Sequence, residues 1–182
     1  MNIKIEIKKN KNLTKSEKDL INKNRLKEFR KEGFRDFKKD YEPDTEWIFI
    51  KDNGKTVSFC GLRSVKIEYL GKTYNIKGIC STISIVKGKG YGRMMVKAMI
   101  NYLKKKGKTG LGFTGETEFF KKVGLGTKKN FIRRFVYRNP KTGEEVIDMG
   151  GMEFITMERT ISSGKSFQQN QQFIFQYCIG EI

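Results

Sequence analysis

Apolar and charged residues alternate over residues 2–8, which predicts a strand with Ile3, Ile5 and Ile7 on one face. The period then changes in "NLTKSEKDLINKNRLKEFRKEG". Thr14 stands three residues before Glu17, a capping-box spacing, and Leu20, Ile21, Leu26 and Phe29 roughly follow a helical repeat that stops at Gly33. "TEWIFI", residues 45–50, reads as a strand. The Asn53-Gly54 turn behind it predicts a hairpin between residues 45–51 and 55–61. "VKIEYLGKTYNI" predicts a second hairpin turning near Gly71, and residues 76–86 a central strand.

A helix is predicted next, in "YGRMMVKAMINYLKKKG". Tyr91, Met94, Met95, Ala98, Tyr102 and Leu103 share the face that packs on a sheet, and Lys104, Lys105 and Lys106 complement its negative end before Gly107. "TGLGF" is a short strand and "ETEFFKKVG" a short helix. Residues 129–158 hold at least two strands around "NPKTGE". "SSGKSFQQNQQ" is a polar loop, and "FIFQYCIGEI" a last strand. With no internal repeat and no linker, this order predicts one mixed α/β domain over residues 1–182.

Between the central strand and its helix lies "SIVKGKGYGRMM", with glycines at 88, 90 and 92 and lysines at 87 and 89. Glycines let a backbone turn sharply and approach a ligand. A helix start presents unpaired N–H groups and the positive end of its dipole. A strand, a glycine turn and a helix in succession therefore suit a phosphate or pyrophosphate. The stretch lacks the lysine–hydroxyl pair of a Walker A loop, and its glycine spacing is not that of a dinucleotide fingerprint.

Composition narrows the chemistry. The 182 residues suit one domain with a full-sized core. There is no histidine, so Ser–His and Cys–His nucleophilic pairs are excluded, and proton transfer falls to carboxylates, tyrosines, cysteines, backbone or water. Cys60, Cys80 and Cys178 are odd in number and widely spaced, which points to a reducing cytoplasm and away from a disulfide framework or a metal site. No membrane span or signal peptide is expected. A net charge of +18 favours anionic partners, nucleic acid among them, although the lysines are spread along the whole chain.

Two motifs resemble the GNAT N-acetyltransferase superfamily. Lys87-Gly88-Lys89-Gly90-Tyr91-Gly92 is similar to its acetyl-CoA motif Q/R-x-x-G-x-G/A, with lysine at the first position. "FFKKVGL", residues 119–125, is similar to its F-Y-x-K-x-G-F helix. The resemblance covers residues 45–126 closely and the ends by element order. Within the superfamily, "YNIKGICSTISIVKGKGYG" and "GLGFTGETEFFKKVGLG" most resemble the branch containing aminoglycoside 2′-N-acetyltransferases. The resemblance implies an α+β fold: a central mixed, mostly antiparallel sheet of about six to seven strands, splayed between the fourth and fifth, with about four flanking helices. It implies an enzyme, with acetyl-CoA as co-substrate and no metal, and acetyl transfer to a primary amine on a small molecule such as an aminoglycoside or polyamine, or on a protein.

The matching positions give the expected site. Cys80, Ser81 and Thr82 would pair with the pantetheine arm. Lys87, Gly88, Lys89, Gly90, Tyr91, Gly92 and Arg93 would hold the pyrophosphate, and Phe120 joins the cofactor-binding set. Phe120 stands where many relatives carry an acidic tyrosine, and residues 76–86 lack the carboxylate that many carry on that strand. Tyr177 and Tyr137 are the candidate acids. Glu46, Glu68, Glu116, Glu118 and the terminal carboxylate of Ile182 are the candidate bases. Asp40, Glu42, Asp44 and Glu46 offer an acidic patch for a cationic acceptor. Two alternatives remain. One is an RNA-linked amine such as aminoacyl-tRNA, or a ribosomal protein, with the lysines and aromatics of residues 119–138 tracking the polyanion. The other is a CoA-binding module without catalysis. A monomer and a homodimer formed through "FIFQYCI" both fit the sequence.

Overall fold

Both predicted hairpins form, and left-handed residues make their turns: Asn53 and Gly54 (φ 48° and 77°), then Leu70 and Gly71 (φ 50° and 69°). The computed structural model describes residues 2–128, 135–138, 145–147, 153–156 and 173–176, in backbone alone for Glu32 and for the residues from 127 on other than Val136. The order is β1 (Ile3–Lys9), α1 (Lys15–Phe29), β2 (Glu46–Asp52), β3 (Lys55–Tyr69), β4 (Lys72–Ser84), α2 (Tyr91–Lys105), β5 (Gly110–Thr114), α3 (Thr117–Lys122), β6 (Gly126–Lys128), β7 (Phe135–Arg138), β8 (Glu145–Ile147), β9 (Glu153–Thr156) and β10 (Phe173–Gln176). The class is the expected mixed α+β one. Ten strands are present among the described residues, where about six to seven were expected, and three α-helices where about four were expected. The extra strands are three- and four-residue pieces after residue 125, too short for a periodic signal. No helix among the described residues is long and apolar enough to cross a membrane.

The chain divides into two compact units, Met1–Arg63 with Ile79–Asn101, and Ser64–Gly78 with Tyr102–Ile182. In the first, β1 pairs antiparallel with β2, and β2 with β3. Trp47, Phe49, Phe59 and Ile83 turn to one face of this sheet. There they pack with Ile21 of α1 and with Leu13, Phe37 and Tyr41. Alternation sends Ile48, Ile50, Cys60 and Leu62 to the opposite face. Cys60 Sγ lies 3.7 Å from Met99 Sδ, which puts α2 on that face. The α1 start is the expected capping box: Thr14 Oγ1 accepts from the Glu17 N–H at 3.2 Å, and Glu17 Oε2 accepts from the Thr14 N–H at 2.9 Å.

β1 forms where a strand was expected, and as an edge strand it leaves Ile5 and Ile7 50% and 40% exposed. In α1, Leu26 and Phe29 are exposed, and Ile21, Asn24 and Arg25 form the buried stripe instead. Polar anchors hold the segment that follows α1. Asn10 Nδ2 donates to Phe37 O at 2.8 Å, and Asn22 exchanges two hydrogen bonds with the Arg35 backbone at 2.8 and 3.1 Å.

In the second unit, β4 pairs in parallel with β5 through Lys77–Gly110 and Gly78–Leu111, and the ladder ends there. β9 lies antiparallel between β5 and β6. β10 pairs antiparallel with β3 and parallel with β7, so both of its edges are occupied over residues 173–176. β8 closes on β7. The end of α2 is a Schellman cap. Gly107 (φ 59°) donates to Lys104 O at 3.0 Å, and Lys108 donates to Leu103 O at 3.0 Å.

Candidate functional site

β4 is interrupted in the first unit. Ser81 has φ 51°, a left-handed value that a non-glycine residue in a strand adopts only when its surroundings hold it there. Thr82 Oγ1 donates to Cys60 Sγ at 3.3 Å, so it faces α2, while Ile83 packs with the Trp47 cluster on the other face. Regular alternation would send Cys80 with Thr82. Instead Cys80 packs with the Trp47 cluster, and its sulfur fills the space over Gly61. Ser81 also faces that side, where its Oγ meets Arg25. This is the signature of a β-bulge, which re-aims side chains and leaves backbone groups without regular partners.

After β4, the N–H groups of Ile85 and Val86 still donate to Val57 O, at 2.9 and 3.3 Å. The chain then leaves the sheet. Gly88 and Gly90 have φ 75° and 79°, and a Cβ on either would meet open space. Backbone conformation, rather than crowding, explains the glycines. The Gly90 carbonyl accepts from Met94 N at 3.0 Å, so Gly90 caps α2, and the N–H groups of Tyr91, Gly92 and Arg93 lie in the first turn without intrahelical partners. Tyr91 Oη donates to Asp52 Oδ2 at 2.5 Å and ties the helix start to β2; this bond pushes the phenol's pKa up. Lys89 and Arg93 are exposed beside the turn, and Lys87 pairs with Glu28 at 2.6 Å on the surface. Open backbone, a helix start and exposed cations suit a pyrophosphate.

On the bulge face stands a buried polar group of residues that the sequence did not announce. Tyr41 is 5% exposed and has its phenol pushed up to about 12, chiefly by burial. Its ring meets Trp47 edge-on at 5.2 Å. Arg63 is buried and forks onto Glu42 at 2.6 and 3.0 Å, with its guanidinium 5.4 Å from the Tyr41 ring. Arg25 is buried as well, donating to Gly33 O at 2.7 Å and to Ser81 Oγ. Trp47 Nε1 is buried with no hydrogen-bond partner among the described residues. Burial raises the pKa of both Cys60, to about 12, and Cys80, so neither is a ready nucleophile.

The structure thus brings Cys80, Ser81 and Thr82 into one unit with the 87–93 turn, and adds Tyr41, Arg25, Arg63 and Glu42. Glu46 opens β2 on the face opposite Trp47, away from Tyr41. Of the acidic patch, Glu42 is occupied by Arg63 and by Thr45, whose Oγ1 donates to it at 3.0 Å. In the second unit, Glu68 lies on β3 opposite Ile174, and exposed Glu116 precedes α3. Glu118 on α3 is exposed, and its hydrogen bond to Lys121 lowers its pKa. Phe120 is buried against Phe119 in the same helix. Tyr137 lies on β7. Tyr177, Cys178 and Ile182 lie outside the described residues, as do the loop "SSGKSFQQNQQ" and part of the basic stretch 119–138.

This fold is similar to that of an acyl-CoA N-acyltransferase from Pseudomonas aeruginosa, with a TM-score of 0.55, 12% identity, and coverage of 85% of this chain and 99% of that one. It is similar to ElaA from Escherichia coli, with a TM-score of 0.56, 12% identity, and coverage of 85% and 98%. It is also similar to the GNAT-family N-acetyltransferase YhbS from Escherichia coli, solved in complex with CoA, with a TM-score of 0.55, 11% identity, and coverage of 96% and 89%. At such identities the likeness is one of fold, and the fold is the GNAT one. No protein-family model matches the sequence, and neither does any curated protein.

Proposed function

We propose that the chain is an N-acetyltransferase that moves acetyl from acetyl-CoA directly to a primary amine. One observation carries this reading. A bulged strand, left-handed at Ser81, runs into a turn with two left-handed glycines and then into a helix start, all within one unit. The GNAT fold and the resemblance of residues 87–92 to the acetyl-CoA motif support it.

Acetyl-CoA would supply the activated acyl group as a thioester. The backbone of residues 88–93, with Lys89 and Arg93, would hold its pyrophosphate, and the β4 backbone at Cys80–Thr82 its pantetheine arm. Tyr41 takes the place in the chemistry that Phe120 leaves empty. At a pKa of about 12 its oxygen keeps its proton through the physiological range. A thiol has a pKa of about 8.5, so Tyr41 acts as a hydrogen-bond donor to developing negative charge rather than giving up its proton. The amine must lose a proton to react. Glu42 is held by Arg63, so that proton passes to water.

The resemblance makes aminoglycosides one acceptor class to test, beside polyamines, amino acids and lysine peptides. A thiol-release assay over these four tests the reading. Amine-dependent CoA release with one class is the expected result. Release with none of them would leave a CoA-binding module without catalysis.

A further inference from the structure

The two buried arginines of the first unit differ in one respect. Arg63 has its carboxylate built in, as a fork to Glu42. Arg25, 7% exposed, binds only neutral acceptors: the Gly33 carbonyl, Ser81 Oγ and the face of Phe29, whose centroid is 5.3 Å away. No carboxylate reaches it among the described side chains. A buried cation without a counter-charge is costly, and folded chains pair one unless a ligand supplies the anion. The apolar surface around Arg25 is also unusual. Leu26, Phe29 and Phe34 are 41%, 46% and 58% exposed, and Phe34 directly follows the glycine whose carbonyl Arg25 binds.

We propose that Arg25 is the seat of an anion subsite beside the β4 bulge, and that the acceptor amine carries a carboxylate next to an apolar side chain, as an apolar amino acid does. This rests on the acetyltransferase reading. With Nε and Nη1 already donating to Gly33 O and Ser81 Oγ, Arg25 keeps Nη2 as the nitrogen that can donate to a carboxylate, and exposed aromatic and aliphatic surface beside it takes the side chain. The same guanidinium repels a polycation, so aminoglycosides and polyamines are disfavoured. It also lies next to Ser81, where the acyl group is expected, so a bound carboxylate brings its own α-amine close to that strand.

The test is calorimetric titration of the full chain, alone and with CoA, using L-phenylalanine, L-leucine, L-phenylalaninamide, phenethylamine and spermidine. The acids should bind at least about tenfold more tightly than the amide or the amine, a gap of about 1.4 kcal/mol. In Arg25→Gln that ratio should fall to about one, and Arg25→Lys should keep part of it. If Arg25 only holds the bulge, the variant weakens acid and amide alike and the ratio survives, which overturns the proposal. Equal or tighter binding of the amide or spermidine, or no saturable binding of either acid, overturns it on the unaltered protein, whatever happens to the folding of the variants. A thermal shift with acetyl-CoA separates the two readings. Acid binding without an acetyl-CoA shift removes the acetyltransferase reading and keeps the subsite. A shift without acid binding does the reverse.

Discussion

The sulfur of Cys80 occupies the space that a side chain on Gly61 would need: a Cβ at Gly61 would stand 2.7 Å from Cys80 Sγ and 3.2 Å from Trp47 Cζ3. The bulge at Ser81 turns Cys80 to this face, and Gly61, opposite Trp47 in the β2–β3 register, makes room for it. Glycine is required here by close approach, since its φ is ordinary. Gly61→Ala should therefore destabilise the protein by about 1–3 kcal/mol through overpacking. Cys80→Ala should recover much of that loss in the double variant. Denaturant unfolding of the four-member cycle reads the coupling; additive effects would mean that the two sites do not touch.

Stability should fall at alkaline pH. Cys60 is raised from 9.0 to about 12, and Tyr41 from 10.0 to about 12, both chiefly by burial. Between the unfolded and folded values the native state holds more protons than the unfolded chain. The contribution is therefore complete below pH 9 and lost as pH climbs toward 12. Cys60→Ala and Tyr41→Phe should each flatten that decline in urea unfolding followed against pH. Unchanged slopes in both would contradict the burial seen here.

Tyr41→Phe also tests the chemistry. Removing one donor should lower kcat by roughly 10²-fold or more, with KM for acetyl-CoA little changed. A wild-type kcat in the variant would remove Tyr41 from the mechanism.

Thr14→Ala removes one partner of the α1 capping box and should cost about 1 kcal/mol. The cap stands at the start of α1 and Arg25 lies beyond its middle. Acetyl-CoA affinity should stay within twofold or so of the unaltered chain by calorimetry, an additive and distant effect.

Local chemistry made much of the fold legible. Thr14 and Glu17, Asn53-Gly54, Gly71 and Gly107 each mark a turn or cap through short-range rules, and each sits where those rules put it. The glycine turn was legible for the same reason. Arg25, Tyr41 and the Glu42–Arg63 fork were not, because nothing local distinguishes a buried arginine from a solvated one. Arg25 lies beside lysines on a helix of weak periodicity, and its burial depends on Ser81, 56 residues away. Tyr41 was the faintest signal available, the one aromatic in the acidic run before Trp47. The Ser81 bulge left no mark at all, since serine is no turn signal inside an apolar strand.

The central claim is that the turn after β4 holds acetyl-CoA. Calorimetric titration of acetyl-CoA into the natural chain and into Gly90→Glu tests it most directly. Gly90 caps α2 at φ 79° with open space beside it, so the variant adds backbone strain and negative charge without a clash. Saturable binding by the natural chain, lost in a variant that still unfolds cooperatively, is the result this account predicts. Acetyl-CoA binding that survives Gly90→Glu undiminished, or none by the natural chain, would contradict it.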